Sequence, residues 1–207
     1  MKIAIFGTSG FAREVADLCW ANGYQNIVFI GIDPKESVLF EYNVIDESRI
    51  EDLNKQDYSF IIGIGNNLVR AKIFEKYNHL NYINLIHPSA TFGKSQKEKF
   101  DKCVGNIITA GVRFTNNIEV GNFGIYNLNS TIGHDCIIGD YVNLCPNASV
   151  SGNVQLGSKA FVGTNATIIQ GKILGECSVI GAGAVVIDNV PANCTAIGVP
   201  AKIIHKN

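Results

Sequence analysis

The chain has 207 residues, 46% of them hydrophobic, which supplies a core for one large domain or two small ones and argues against a disordered or disulfide-stapled chain. Its Lys+Arg 17 and Asp+Glu 18 leave a net charge of -1 with no pole of either sign, so a nucleic-acid or polyanion binder is not expected.

Residues 2–6 form a short apolar run that ends in Gly7-Thr8-Ser9-Gly10. Helical spacing follows over 11–20, where Phe11, Val15, Leu18 and Cys19 share a face, and Asn22-Gly23 stops it. Residues 26–33 read as a second strand, 60–65 as another, 67–77 as a helix, and 82–86 as the strand that closes the set. Strands alternating with helices imply a small parallel sheet of Rossmann type over residues 1–86. No apolar stretch approaches the roughly 18 residues of a membrane span, and the chain enters its first strand directly, so a cytoplasmic location is expected. Cys19, Cys103, Cys136, Cys145, Cys177 and Cys194 include no C-x-x-C pair and no histidine at ligand spacing. They read as free thiols, with no metal.

Beyond His87-Pro88 the character changes: 25 charged residues precede position 105 and only 8 lie between 105 and 200. Stepping six residues at a time from Ile108 through Phe114, Val120 and Tyr126 to Val186 meets an aliphatic or aromatic residue at all fourteen positions. Gly often follows this residue (Gly121, Gly133, Gly139), and a small residue often precedes it by two (Ser130, Cys136, Ala148). The period implies a parallel β-helix over 87–207, in which the apolar residue fills the interior and three six-residue units close one coil. Residues 18 apart should stack at the strand spacing, about 4.8 Å. Gly and Asn are expected at corners that need left-handed dihedrals. Residues 94–102 interrupt the earliest phase and read as a solvated loop.

Several motifs spread along the chain carry a resemblance. They are Gly7-Thr8-Ser9-Gly10, Ile64-Gly65-Asn66-Asn67, His87-Pro88-Ser89-Ala90, Ile132-Gly133-His134-Asp135, Ser151-Gly152 and Gly198-Val199-Pro200-Ala201-Lys202. Together they resemble the left-handed β-helix, hexapeptide-repeat acyltransferases. More narrowly, they resemble the subgroup that acetylates bacterial sugars: nucleotide-linked 4-amino-sugar N-acetyltransferases and sialic-acid O-acetyltransferases. The resemblance implies a left-handed helix with a C-terminal cap, acetyl-CoA as co-substrate, and a homotrimer whose sites lie between neighbouring subunits.

His134 sits two places after Ile132, where the repeat needs no imidazole. An amine or hydroxyl attacking a thioester must lose a proton, and an imidazole is a suitable acceptor, so His134 is the candidate general base. The resemblance gives Asp135 the role of its acidic partner. Adjacent side chains in an extended segment point apart, and a solvated surface Asp remains open. Asn127, seven before His134, matches an Asn beside the family's site and is also compatible with an ordinary corner. Adding 18 to His134 reaches Gly152, whose N–H, by resemblance, binds the thioester carbonyl and would stabilise an oxyanion. On this reading Gly152→Ala mainly adds a methyl group, whereas Gly152→Pro deletes the donor. By resemblance Asn143, Thr164 and Ala182 line the coenzyme A arm, and Lys202 meets its phosphate or is a solvated tail lysine.

The Gly7-Thr8-Ser9-Gly10 loop opens a helix whose N–H groups suit a diphosphate, through Gly7, Ser9 and Gly10. It departs from G-x-G-x-x-G at Ser9 and Ala12, which disfavours a dinucleotide. By resemblance Asp33, Gly65 and Asn66 approach the same acceptor. Phe11 stands where some amino-sugar relatives carry His, which leaves the acceptor's identity open. The expected activity is acetyl transfer from acetyl-CoA to the 4-amino group of a nucleotide-linked dideoxy sugar for surface glycans. Sialic-acid-type O-acetylation and a non-enzymatic sugar-nucleotide-binding β-helix are the alternatives. A zinc enzyme needs three histidines, and His134 is the sole histidine between 105 and 200.

Overall fold

The computed structural model describes residues 1–206, with side chains through 205. The N-terminal part runs β1 (Lys2–Phe6), α1 (Gly10–Ala21), β2 (Asn26–Gly31), β3 (Val38–Leu39), β4 (Tyr42–Asp46), α2 (Ile50–Lys55), β5 (Tyr58–Ile62) and α3 (Asn67–Lys76). The sheet order is β3-β4-β2-β1-β5, parallel except for the β3–β4 hairpin. Ile3 and Ile5 of β1 pack on α1 through Ala12, Val15, Ala16 and Cys19. Ala4 and Phe6 face the opposite way, toward Ile50 and Leu53 of α2 and Phe74 of α3. Coverage on both faces explains why β1, β2 and β5 read as unbroken apolar runs rather than alternating ones. The hairpin and α2 fall between 34 and 57, where short, half-exposed elements leave no periodic signal.

Residues 82–86 do not form the expected closing strand. Tyr82 makes a single bridge to Phe60, whereas Leu85–Ile86 pairs with Ile107–Ile108 and already belongs to the coil. Leu85–Ile86 is thus the first strand of the coil.

From Leu85 to Val186 the chain is a three-sided parallel β-helix of two-residue strands stacked in three sheets. From Ile107 to Val186 partners are 18 residues apart, as in Ile107↔Ile125, Thr131↔Ser149 and Ile137↔Gln155. The second residue of each strand points inward: Ile108, Phe114, Tyr126, Ile132, Ile138 and Leu144 are all buried. Val120 alone among the fourteen is only partly buried.

Two local features differ from the sequence reading. The glycines after the strands are not the left-handed residues. A Cβ on Gly133 or Gly139 would lie 2.5 or 2.6 Å from a backbone nitrogen of the following coil, at Gly152 or Ser158, so these glycines permit close stacking. The left-handed corners lie at another position of each unit, and there the expected residue types are present: Gly105, Gly111, Gly171 and Gly183 together with Asn117, Asn129, Asn147, Asn153 and Asn165, joined by Asp135, Phe123, Tyr141, Lys159 and Cys177. The segment expected as a solvated loop contains a 3-10 turn, Lys97–Lys102, that closes the open end of the coil. Phe100 is 2% exposed and packs edge-on against Phe92 and Phe114. Buried Gln96 replaces the missing strand, donating to Ile118 O at 2.9 Å and accepting from Ile118 N at 2.8 Å.

The N-terminal domain sits on the first face of the coil. Leu85, Ile107 and Ile125 join the α1 core, and Phe123 packs on Phe74 and stacks on Tyr141. All six cysteines are free; burial pushes the Cys19 thiol up to about 12. No helix among the described residues is long and apolar enough to cross a membrane.

Candidate active site

His134 follows the strand Thr131–Ile132, at the corner between the second and third faces. The corner conformation decides its partner: Asp135 adopts φ 60, so the chain turns rather than extends and the two adjacent side chains meet. His134 Nδ1 and Asp135 Oδ2 are 2.7 Å apart. The direct pairing left open by the sequence is present, because a left-handed corner removes the alternation of an extended strand. Asp135 Oδ1 accepts from Asn117 Nδ2 at 2.6 Å. Asn117 occupies the corresponding corner one coil earlier, and its amide, followed by His134, holds the Asp135 carboxyl below the usual range. Subtracting 18 from 135 would have found it.

An Asp135 carboxylate fixes the proton on Nδ1 and leaves Nε2 as the acceptor. Nε2 lies over Gly152 of the following coil: a Cβ there would stand 2.6 Å from both Nε2 and Cε1. The methyl group that Gly152→Ala adds is therefore not a small change, since it would occupy the space of the imidazole. The Gly152 N–H meets no acceptor among the described residues. Both His134 and Asp135 are about half exposed, at 52% and 49% for their side chains.

The remaining candidates fall on other parts of the molecule. Thr164 and Ala182 are exposed and stack on the corner between the first and second faces, above Pro146. The Thr164 hydroxyl also contacts the half-buried Cys145 thiol. Asn127 is on this corner too, one whole face away from His134, with its Oδ1 accepting from Leu128 N at 2.8 Å. Asn143 is 6% exposed and donates to Gly65 O at 3.3 Å. Turned into the domain interface, it presents no surface to a cofactor arm, so the expected coenzyme A role is withdrawn. Lys202 is exposed on the terminal strand Lys202–Lys206, which pairs antiparallel with Cys194–Ile197.

At the carboxyl edge of the N-terminal sheet, the loops after β1 and β5 touch. A Cβ on Gly7 would be 3.0 Å from Ile64. Ser9 caps α1 by position, is exposed and makes no side-chain cap bond, and the Gly10 and Phe11 N–H groups have no backbone acceptor. Asp33 lies early in the loop after β2 in a left-handed conformation, φ 45, with its N–H donating to Asp46. It lines a cleft of about 410 Å³ with Thr8, Arg13, Pro34, Lys35 and Glu36. Arg13 and Lys35 bring the cations that a diphosphate calls for, and sequence reasoning missed both. Arg13 lies one turn beyond the Gly7–Gly10 loop and was legible; Lys35 lies where no periodic signal exists. Gly65 and Asn66 do not line this cleft. Asn66 caps α3, its Oδ1 accepting from Leu68 N and Val69 N.

The N-terminal domain covers the first face, whereas His134 occupies the opposite corner. One chain therefore brings together His134, Asp135, Asn117 and Gly152, and separately Thr8, Arg13, Asp33 and Lys35, without joining the groups. Among the described residues no cluster of three or more His, Cys, Asp or Glu is placed to hold a metal. A hexapeptide β-helix with an oriented imidazole above an open backbone N–H has the equipment of an acyltransferase, and the appended parallel sheet offers a separate cleft.

Comparison with known proteins agrees. Residues 2–77 match the PglD N-terminal domain family. GDP-perosamine N-acetyltransferase of Escherichia coli O157:H7 is 33% identical over 159 residues, covering 72% of this chain and 68% of that protein. PerB from Caulobacter crescentus, solved in complex with CoA and GDP-perosamine, superposes with a TM-score of 0.89 at 31% identity, over 99% of this chain and 98% of that one. The acetyltransferase domain of PglB from Neisseria gonorrhoeae FA1090, in complex with acetyl coenzyme A, gives 0.89 at 30% identity over 98% of both. This chain belongs to the hexapeptide-repeat sugar acetyltransferases, in the subgroup of nucleotide-linked amino-sugar N-acetyltransferases.

Proposed function

We propose that the protein transfers the acetyl group of acetyl-CoA to the 4-amino group of a nucleotide-linked amino-dideoxy sugar, in surface glycan synthesis. The observation that carries this reading is the placement of His134 Nε2 directly over Gly152. The neutral amine attacks the thioester carbonyl; a C–N bond forms and the amine proton passes to Nε2 of His134. Asp135, held by Asn117, stabilises the resulting imidazolium. The Gly152 N–H donates to the oxyanion of the tetrahedral intermediate. The C–S bond then breaks, and the departing thiolate takes the proton from His134 to leave as the thiol.

Thr164, Ala182 and Gly152 are open, small or polar positions that suit a pantetheine arm, with Lys202 for a coenzyme A phosphate. Thr8, Arg13, Asp33 and Lys35 line the cleft offered to the nucleotide, with Gly7, Ser9, Gly10 and Phe11 beside it. Because acceptor cleft and base lie on opposite sides of the coil, the working unit is a homotrimer in which one subunit's base meets its neighbour's acceptor. Asn127, on the intervening corner, borders that shared site. The cytoplasm is the compartment, where both acetyl-CoA and sugar nucleotides are available.

The test is thiol release from acetyl-CoA across a panel of GDP-, UDP- and dTDP-linked amino sugars, beginning with GDP-perosamine, and their free counterparts. A nucleotide-linked 4-amino sugar should be preferred. Equal kcat/KM with and without the nucleotide would overturn the acceptor assignment, and faster acetylation of sialic acid would replace it with O-acetylation.

A further inference from the structure

Arg70, in the first turn of α3, is the largest fully buried side chain, 1% exposed, and no carboxylate among the described residues is bonded to it. Burial pushes its guanidinium down to about 10, so it stays charged at neutral pH. Every guanidinium N–H instead meets a backbone carbonyl. Nη1 donates to Ile64 O and Gly65 O at 3.0 and 2.9 Å. Nε donates to Phe123 O at 3.1 Å, and Nη2 to Tyr141 O and Val142 O at 3.0 and 3.5 Å. The first pair belongs to the loop after β5; the others belong to two successive coils. A single cation thus bolts that loop to the β-helix.

In a planar trans peptide the C=O of one residue and the N–H of the next point in opposite directions. With the Ile64 and Gly65 carbonyls drawn onto Arg70, the Gly65 and Asn66 N–H groups point away from the interface, and neither has an acceptor among the described residues. The surroundings of Gly65 leave room for such a contact. Gly65 has no left-handed φ, and a Cβ on it would meet nothing within 4 Å. The space beside the Gly65 peptide is therefore open to another molecule.

We infer that Arg70 is a positioning residue for the acceptor: by holding the Ile64 and Gly65 carbonyls it aims the Gly65 and Asn66 N–H groups at a phosphate or hydroxyl oxygen of the sugar nucleotide. The inference rests on the proposed function and extends it to a residue buried out of contact with any substrate.

The experiment compares wild type, Arg70→Met, Arg70→Lys and Asn143→Ala as full-length proteins. KM for the nucleotide-linked sugar is measured alongside acetyl-CoA affinity and thermal unfolding. Arg70→Met should raise the acceptor KM about tenfold or more, as expected for loss of one or two charge-assisted hydrogen bonds, with acetyl-CoA affinity unchanged. Arg70→Lys, with three donors, should recover part of the loss. Asn143→Ala removes one amide from Gly65 O and should give a smaller shift of the same kind, which keeps the test decisive if Arg70→Met does not fold. Unchanged acceptor KM in folded Arg70 or Asn143 variants, or equal losses for acceptor and acetyl-CoA, overturns the positioning role. A wild type that acetylates no nucleotide-linked amino sugar overturns the proposed function instead, and is read before any variant.

Discussion

The imidazole of His134 rests on the α-carbon of Gly152, one coil away, at a distance that leaves no room for a methyl group: a Cβ at 152 would stand 2.6 Å from Nε2. Stacking at an 18-residue interval therefore places the proton acceptor beside the backbone N–H that would face the oxyanion.

Gly152→Ala is expected to lower kcat by about 10² or more, comparable to loss of a positioned base or an oxyanion donor, and to do so without unfolding the coil. Steady-state kinetics with a thermal melt checks this. Near-normal turnover in a folded Gly152→Ala protein would show that the ring need not stay above residue 152.

His134→Ala removes the acceptor itself and should reduce kcat by roughly 10² to 10⁴ while acetyl-CoA affinity, measured by calorimetry, stays close to wild type. Retained turnover would take His134 out of the mechanism.

The Asp135 carboxyl titrates below its ordinary range, chiefly through Asn117 and then His134. A depressed folded pKa stabilises the fold above the unfolded value, about 3.9, and that contribution disappears as pH falls through the folded value. In Asn117→Ala the Asp135 carboxyl should titrate closer to the unfolded value, as followed by carbon NMR. An unmoved titration would separate Asn117 from the pair.

Mixed oligomers test the division of the site between subunits. Co-assembled His134→Ala and Asp33→Ala chains, each nearly inactive alone, should recover part of the wild-type activity, because some interfaces then unite an intact base with an intact acceptor cleft. No recovery in verified mixed oligomers would place base and acceptor on one chain.

Gln96→Ala leaves the buried N–H and C=O of Ile118 without partners. Each such group costs about 1–3 kcal/mol, so a lower Tm with unchanged KM for acetyl-CoA is expected. An unaltered melting curve would mean that water enters and replaces the amide.

The repeat region and the alternating N-terminal half were legible in the sequence because burial imposes a period on it. Interior residues recur every six positions from Ile108 to Val186, and strands covered on both faces, such as β1, read as continuous apolar runs. His134 was legible for the opposite reason, as an imidazole where the period requires nothing, and Gly152 followed by counting one coil. The His134–Asp135 contact, the capping role of Gln96 and Phe100, and the pairing of Leu85–Ile86 with the coil were not legible, since corner dihedrals and pairing partners belong to no periodic pattern. Nothing in the sequence distinguishes Arg70 from other charges; only the packing of Phe123, Tyr141 and Val142 against α3 surrounds it with carbonyls. Local sequence thus determined which residues face inward, while tertiary packing decided which polar groups meet, because hydrogen bonds depend on angles and distances between segments that the period leaves unspecified.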